Sequence, residues 1–225
     1  MYDFHKSVVY QCYFKSFYDS NGDGVGDLRG VTAKLDYLQK LGVDYIWLNP
    51  FFPSPQRDNG YDVADYCAVD PRFGTMEDFE ELSREAEKRG IRLMLDMVFN
   101  HTSTEHEWFQ KALAGNPDYE DYYIWREGGP DGTPPNNWES KFGGNAWEYV
   151  PEKGKWYLHL FDRTQADLNW ENPRVRRELQ NVIRFWMDKG VKGFRFDVVN
   201  LISKGSYASD YEGDGRRFYT DGPRV

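Results

Sequence analysis

The sequence predicts a parallel α/β fold, and three observations carry that prediction. An amphipathic helix closing on glycine occurs three times, a short apolar strand follows each helix, and each strand runs into an acid or an amide. In the first repeat Val31, Leu35, Leu38 and Leu41 stand at helical spacing, and Gly42 supplies a left-handed stop. The strand Tyr45-Ile46-Trp47-Leu48 then leads into Asn49-Pro50. The second helix starts at Thr75, with Asp78 three residues on in the manner of a capping box. Its stripe is Met76, Phe79, Leu82 and Ala86, Gly90 ends it, and Ile91 to Leu95 forms a strand closing on Asp96. The third takes Asn172 as N-cap and Pro173 at its first position, with Val175, Leu179, Val182, Ile183 and Trp186 on one face. Gly190 ends it, and Phe194-Arg195-Phe196 leads to Asp197. An earlier strand, Val8 to Tyr13, opens the series. Parallel α/β sheets bind ligands beyond the C-terminal ends of their strands, so Asn49, Asp96 and Asp197 fall on the functional edge.

The stop glycines also measure an insertion. Gly42 to Gly90 spans 48 positions, whereas Gly90 to Gly190 spans 100. The excess lies between Asn100 and Trp170, in a stretch rich in Trp, Tyr, Gly, Pro and Asn. A segment that long between a strand and its helix reads as a functional lid or a small subdomain.

Composition bounds the partners. A formal charge of −9 offers no basic excess to neutralise phosphates, which argues against nucleic acid and anionic membrane. Aromatics at 17% serve equally a Trp-rich core or a surface that stacks on sugar faces. Cys12 and Cys67 form neither a CxxC motif nor a disulfide framework, Met1 to Ser7 is not a signal peptide, and no run of 18 apolar residues occurs. The expectation is a soluble, cytoplasmic protein.

Four constellations carry chemistry. Asp19-Ser20-Asn21-Gly22-Asp23-Gly24-Val25-Gly26-Asp27 places oxygen side chains at alternate positions with glycines between them. With the Val25 carbonyl, Asp19, Asn21, Asp23 and Asp27 form a donor set for a hard cation, Ca²⁺ before Mg²⁺, in a structural role. A plain Gly/Asp turn is the simpler reading, since no Glu stands at the twelfth position. In Gly193-Phe194-Arg195-Phe196-Asp197-Val198, strand alternation puts Arg195 and Asp197 on one face and directs Phe194 and Phe196 into packing. A guanidinium there keeps a carboxylate ionised, as a nucleophile requires, although a structural ion pair satisfies the same spacing. Asp96 to His101 and Asp58-Asn59-Gly60-Tyr61-Asp62 are weak signals alone, the latter an ordinary turn.

Together these segments resemble the α-amylase superfamily of glycoside hydrolases. Asp96 to His101, Gly193 to Val198 and Gln165 to Pro173 look like its signature segments, in family order around an insertion. Asp19 to Asp27 resembles the Ca²⁺ loop of the oligo-1,6-glucosidase branch, and Gly213 to Arg224 looks most like trehalose-6-phosphate hydrolases. Phe14, where the family usually has Pro, and Pro53, where Val is more usual, depart from the pattern without removing a functional group.

The resemblance implies a (β/α)8 TIM barrel, of which this chain would hold the first half: strands one to three in residues 1–101, an inserted B domain in 102–170, and the barrel's continuation in 171–225. It implies a retaining double displacement with Asp197 as nucleophile and Arg195 holding its carboxylate. Asp58, Asp96 and His101 would bind sugar hydroxyls, Tyr61 would stack on the ring, and Phe142, Phe161 and Gln165 would line the pocket. Val198 goes with α-1,6-linked or trehalose-type substrates. For a phosphorylated sugar, Lys204, Arg216, Arg217 and Arg224 are the clustered cations near the nucleophile. The acid/base Glu would come from a later strand, so the expectation is a truncated chain, inactive alone. Rival readings are an oligo-1,6-glucosidase or sucrose isomerase of the same branch, a non-catalytic transporter-associated relative, and a Ca²⁺- or sugar-binding module.

Overall fold

A computed structural model describes residues 4–204. In chain order the elements are β1 (Val9–Cys12), α1 (Leu28–Ala33), α2 (Leu35–Lys40), β2 (Tyr45–Leu48), α3 (Met76–Lys88), β3 (Arg92–Val98), β4 (His101–Ser103), α4 (Glu107–Leu113), β5 (Trp125–Arg126), β6 (Trp147–Val150), β7 (Lys155–Leu158), β8 (Gln165–Asp167), α5 (Pro173–Asp188) and β9 (Gly193–Asp197). They divide into two compact units.

The first unit comprises, among the described residues, 4–53, 65–97 and 180–196. Its sheet has the order β1-β2-β3-β9. β1 pairs β2 in parallel, Val9 opposite Tyr45 and Cys12 opposite Leu48, and β2 pairs β3 in parallel, Leu48 opposite Leu95. The three stop glycines close their helices in one way. The amides of Val43, Ile91 and Val191 reach back to the carbonyls of Leu38, Ala86 and Trp186, and Gly42, Gly90 and Gly190 have φ of 82°, 73° and 94°. That is the Schellman closure, which turns a helix into the next strand within two residues. The Thr75 hydroxyl accepts from the Asp78 amide while Asp78 accepts from the Thr75 amide, completing the predicted capping box.

Three expectations change. The first helix is two, broken at Lys34, because the Thr32 hydroxyl donates back to the Leu28 carbonyl (3.1 Å) and the Lys34 amide tightens onto Val31. Strand β3 runs on to Val98, so Asp96 sits inside the strand rather than closing it. Phe196 is 42% exposed, not packed: β9 is the outer strand of the described order, and Phe194 and Phe196 lean on each other at 6.3 Å. The core of this unit is aromatic. Trp186 meets Phe51, Phe52 and Phe79 at centroid distances of 5.4, 5.7 and 4.8 Å and donates Nε1–H to the Tyr66 carbonyl at 2.7 Å.

The second unit comprises, among the described residues, 54–64, 98–179 and 197–204. β4 and β8 pair antiparallel, His101 opposite Asp167 and Ser103 opposite Gln165. β5, β7 and β6 form a second antiparallel sheet, in that order. Trp147 of β6 and Leu158 of β7 share a buried cluster with Ile124, Trp138, Ala146, Leu160 and Leu201, and a separate group joins Phe109 to Tyr123, Trp125 and Tyr157. Much of the aromatic excess is therefore core. Asn172 caps α5 as predicted, its side chain accepting from the Arg174 amide at 2.9 Å. The chain's described helices include none long and apolar enough to cross a membrane.

Two outcomes test this packing. Trp186→Ala removes the centre of the first aromatic group and should cost about 3–5 kcal/mol in denaturant unfolding. His106 caps α4 with an unprotonated Nδ1, accepting from the Trp108 amide at 3.0 Å, and burial pushes its imidazole down to about 4. The unfolded state therefore takes up protons that the folded state refuses. This contribution to stability is complete above pH 6.5 and falls as pH drops from 6.5 towards 4. His106→Asn, which keeps an N-cap acceptor, should flatten that slope in urea titrations run at pH 4.5 to 7.

Candidate active site

In the first unit the site is built from three strands. Asp96 on β3 is buried, and its carboxylate accepts from Trp47 Nε1 on β2 at 3.0 Å. From β9, Arg195 Nη1 donates to both oxygens of Asp96, at 3.0 and 3.2 Å. The guanidinium also lies over the Trp47 ring, 4.9 Å from its centroid. A planar cation between an aromatic face and a buried carboxylate is a rigid arrangement. Asp197, the last residue of β9 and the first of the second unit's final segment, is half-buried. Asn49, just past β2, accepts from Gln11 on β1 at 3.4 Å.

In the second unit the 54–64 loop, β4 and β8 bring Asp58, Tyr61, His101 and Gln165 together. Gln165 Nε2 donates to Asp58 at 2.8 Å, and its Oε1 accepts from the Asp162 amide at 2.9 Å, which fixes the amide's orientation. His101 is 1% exposed. Burial pushes its imidazole below the ordinary value, against the opposing charges of Asp167, Asp197 and Asp58 and the Tyr61 carbonyl. The His101 Nε2 lies 3.2 Å from both the Tyr61 carbonyl and Gln165 Nε2, and its Nδ1 lies 3.1 Å from Asn100 Nδ2. Burial likewise pushes the Asp58 carboxyl up. The Gln165 hydrogen bond and His101 oppose this, while the charges of Asp62 and Asp197 add to it. Phe161 meets the His101 ring at 5.1 Å and Phe142 edge-on at 5.6 Å. Phe142 is 59% exposed beside a cavity of about 300 Å³ that both rings line with Asn145, His159 and Arg163. An exposed ring flanked by amide and charged groups is suited to a sugar face.

Sequence reasoning missed a buried knot behind these groups. Lys204 Nζ donates to Asn100 Oδ1 at 2.8 Å and pairs with Asp167 at 3.1 Å. Asn100 Nδ2 also donates to Asp167 (3.2 Å), and the Leu160 amide donates to the other Asp167 oxygen at 3.0 Å. Burial pushes the Lys204 ammonium down and the Asp167 charge opposes it. Lys204 is only 2% exposed, so it cannot serve as the phosphate contact that its place near Asp197 suggested. Arg216, Arg217 and Arg224 lie outside the described residues, as does the segment Gly213 to Arg224. No spacing rule joins positions 100, 167 and 204, so only the fold reveals the knot.

The Asp19–Asp27 loop belongs to the first unit and is held by its own amides. Asp19 accepts from the amides of Asn21, Gly22 and Gly24, and Asp23 from that of Val25. Asp27 caps α1 through Gly30 at 2.6 Å and takes the Ser20 amide and hydroxyl. Gly26 lies so close to the 14–18 segment that a Cβ would stand 1.9 Å from the Phe14 carbonyl oxygen. The all-oxygen donor set fits a hard cation. Among the described residues, however, no three His, Cys, Asp or Glu side chains gather as a metal cluster, so a cation here would need the Asn21 amide and the Val25 carbonyl as well.

A family profile, the alpha-amylase catalytic domain, matches residues 11–225. The chain belongs to the alpha-amylase family. It is similar to trehalose-6-phosphate hydrolase of Escherichia coli K12, 63% identical over 97% of this chain and 40% of that protein. It is also similar to oligo-1,6-glucosidase of Parageobacillus thermoglucosidasius, 55% identical over 98% of this chain and 40% of the relative. Among solved structures, trehalose-6-phosphate hydrolase of Bacillus licheniformis superposes with a TM-score of 0.92 at 58% identity, over 97% of this chain and 40% of that one. Trehalulose synthase of Pseudomonas mesoacidophila MX-45 gives a TM-score of 0.85 at 55% identity, over 88% and 36%. The chain thus spans about 40% of the length of the hydrolase and glucosidase relatives it matches.

The buried knot yields a prediction. Lys204→Met strands the Asp167 charge and should cost about 3–5 kcal/mol in denaturant unfolding, whereas Lys204→Met combined with Asp167→Leu should recover most of that loss.

Proposed function

We propose that this chain is the nucleophile-bearing part of a retaining, cytoplasmic hydrolase that converts trehalose 6-phosphate to glucose and glucose 6-phosphate. In this reading the parallel sheet is the first half of a (β/α)8 barrel, and residues 102–170 are a domain inserted after its third strand. The observation that carries the substrate is the similarity to trehalose-6-phosphate hydrolases, 63% and 57% identical in the E. coli and Bacillus subtilis relatives, against 55% for an oligo-1,6-glucosidase. Cys12 and Cys67 are free, in keeping with a reducing compartment.

The chemistry follows from the residues. Asp197 attacks the anomeric carbon and the glycosidic bond breaks, leaving a covalent glucosyl-enzyme that water then hydrolyses. Asp58, Asp96 and His101 hold the hydroxyls of the cleaved sugar, Tyr61 stacks on its ring, Arg195 keeps the nucleophile's surroundings cationic, and Phe142, Phe161 and Gln165 bound the pocket. A second carboxyl group about 5–5.5 Å from Asp197 must protonate the leaving oxygen. Among the described residues no Glu ends a strand, which supports the reading that the 225-residue chain is inactive alone. Lys204 being buried, the phosphate is held by other cations. Asp19, Asn21, Asp23, the Val25 carbonyl and Asp27 seat a structural Ca²⁺.

The deciding assay gives the complete gene product trehalose 6-phosphate, trehalose and isomaltose side by side. Selective release of glucose 6-phosphate is expected, and Asp197→Ala should lower kcat by at least about 10⁴-fold. Equal cleavage of isomaltose and trehalose 6-phosphate would instead assign the general oligo-1,6-glucosidase activity. For the metal, Ca²⁺ should raise the Tm of the 225-residue chain and Asp23→Ala should abolish that rise. An unchanged Tm over millimolar Ca²⁺ counts against the site.

A further inference from the structure

The turn that presents Asp58 and Tyr61 has an unusual backbone. Gln56, Asn59 and Gly60 have φ of 64°, 54° and 100°, three left-handed residues in five positions, two of them with side chains. Such a path is sterically costly and leaves backbone amides turned inward, so something must hold it. The structure shows what does. Asp62 is 0% exposed. Its Oδ1 accepts from the Ser54 hydroxyl at 2.8 Å and the Asp58 amide at 3.2 Å, and its Oδ2 accepts from the Arg57 amide at 2.9 Å. The Ser54 oxygen in turn accepts from the Gln56 amide at 2.9 Å. Three consecutive amides of the turn, those of Gln56, Arg57 and Asp58, therefore end on Ser54 and Asp62.

A buried carboxylate is costly unless several donors converge on it, and here they converge from the turn's own backbone. The turn delivers Asp58 to Gln165 and the Tyr61 carbonyl to His101. The carboxylate behind it therefore acts on the sugar-facing groups through the backbone. The alternative, that Asp62 only contributes to folding, accounts for its burial but not for donors confined to the segment that carries Asp58.

We propose that Asp62, seconded by the Ser54 hydroxyl, is a positioning residue that locks the left-handed 56–60 turn so that Asp58 and Tyr61 meet the sugar in one fixed geometry. This rests on the hydrolase reading for its effect on turnover, but the lock itself is independent of it.

The test compares Asp62→Asn, Ser54→Ala and Ser54→Thr, with Asp70→Asn as a control at another buried carboxylate. In the complete gene product Asp62→Asn should lower kcat/KM for its α-glucoside by about 100-fold. Ser54→Ala should lower it by about tenfold and Ser54→Thr, which restores the hydroxyl, should not, while Asp70→Asn leaves kcat/KM within threefold. In the 225-residue chain, amide hydrogen exchange at Gln56, Arg57 and Asp58 should quicken by about tenfold or more in Asp62→Asn. Exchange at those amides is the readout that separates the two readings. If the wild type cleaves no α-glucoside, the hydrolase reading falls and exchange still decides the lock. Unchanged protection in Asp62→Asn, or a kcat/KM within threefold of an active wild type, overturns the proposal. Should Asp62→Asn fail to fold, Ser54→Ala against Ser54→Thr decides the matter on both readouts.

Discussion

Parallel pairing is the constraint from which the chemistry of the sheet follows. Cys12, Leu48 and Leu95 are neighbours across β1, β2 and β3, so the three strands run towards the same edge of the sheet. A parallel strand cannot be joined to the next by a tight turn, and a helix must carry the chain back. The helix must then stop abruptly, and the left-handed Gly42, Gly90 and Gly190 let the next strand begin within two residues. Asn49 comes to the C-terminal end of β2 and Asp197 to that of β9 for that reason, while Asp96, like Asn49 one residue past the Leu48–Leu95 pair, still lies inside β3. The sheet does no chemistry, but its handedness and register decide which side chains can.

Charge is then distributed unevenly among those side chains. Asp96, Asp167 and Asp62 are all buried, and each is matched by its own donors: Trp47 and Arg195 for the first, Asn100, Lys204 and the Leu160 amide for the second, the 54–58 turn for the third. Taking a carboxylate out of water without such partners would instead protonate it. Asp197 differs in keeping part of its surface open, as the last residue of its strand. The nucleophile role proposed for Asp197 needs such an open position. Asp58 lies between these cases. Burial favours its neutral form, while one amide and one imidazole oppose that tendency.

What was legible in the sequence divides by distance along the chain. Helix stops, the Thr75–Asp78 box and the Asn172 cap are decided within four residues, and local chemistry is enough to read them. The place of Arg195 and Asp197 on one strand needs only the two-residue alternation. The break at Lys34 escaped because the apolar stripe of Val31, Leu35 and Leu38 continues across it, while the cause is a hydroxyl at Thr32 that periodicity does not weigh. Lys204 reads in sequence as a candidate phosphate contact because charge alone does not reveal burial, and its partners lie 37 and 104 positions away. Asp62 looked like the end of an ordinary turn. Its role appears only when the amides of Arg57 and Asp58 are seen to end on it.

Backbone strain ties these observations together. Among the described residues, the non-glycine positions with positive φ are Gln56, Asn59 and Val198. Each lies within two residues of Asp58 or Asp197. Val198, β-branched and at φ of 41°, is a costly choice for a left-handed position. Its side chain packs against the buried group containing Leu160 and Leu201, and its carbonyl accepts from the Leu201 amide at 2.9 Å. Strain of this kind persists only where the surroundings over-determine it. At Val198 apolar packing does so, and in the 56–60 turn a buried carboxylate does. Two unrelated means thus hold the backbone still at two carboxylates that the fold brings into one electrostatic neighbourhood. Under the proposed function, in which Asp197 approaches one carbon atom and Asp58 grips one hydroxyl, a rigid backbone at both repays its cost, because misplacement by about 1 Å can slow a reaction by about 100-fold.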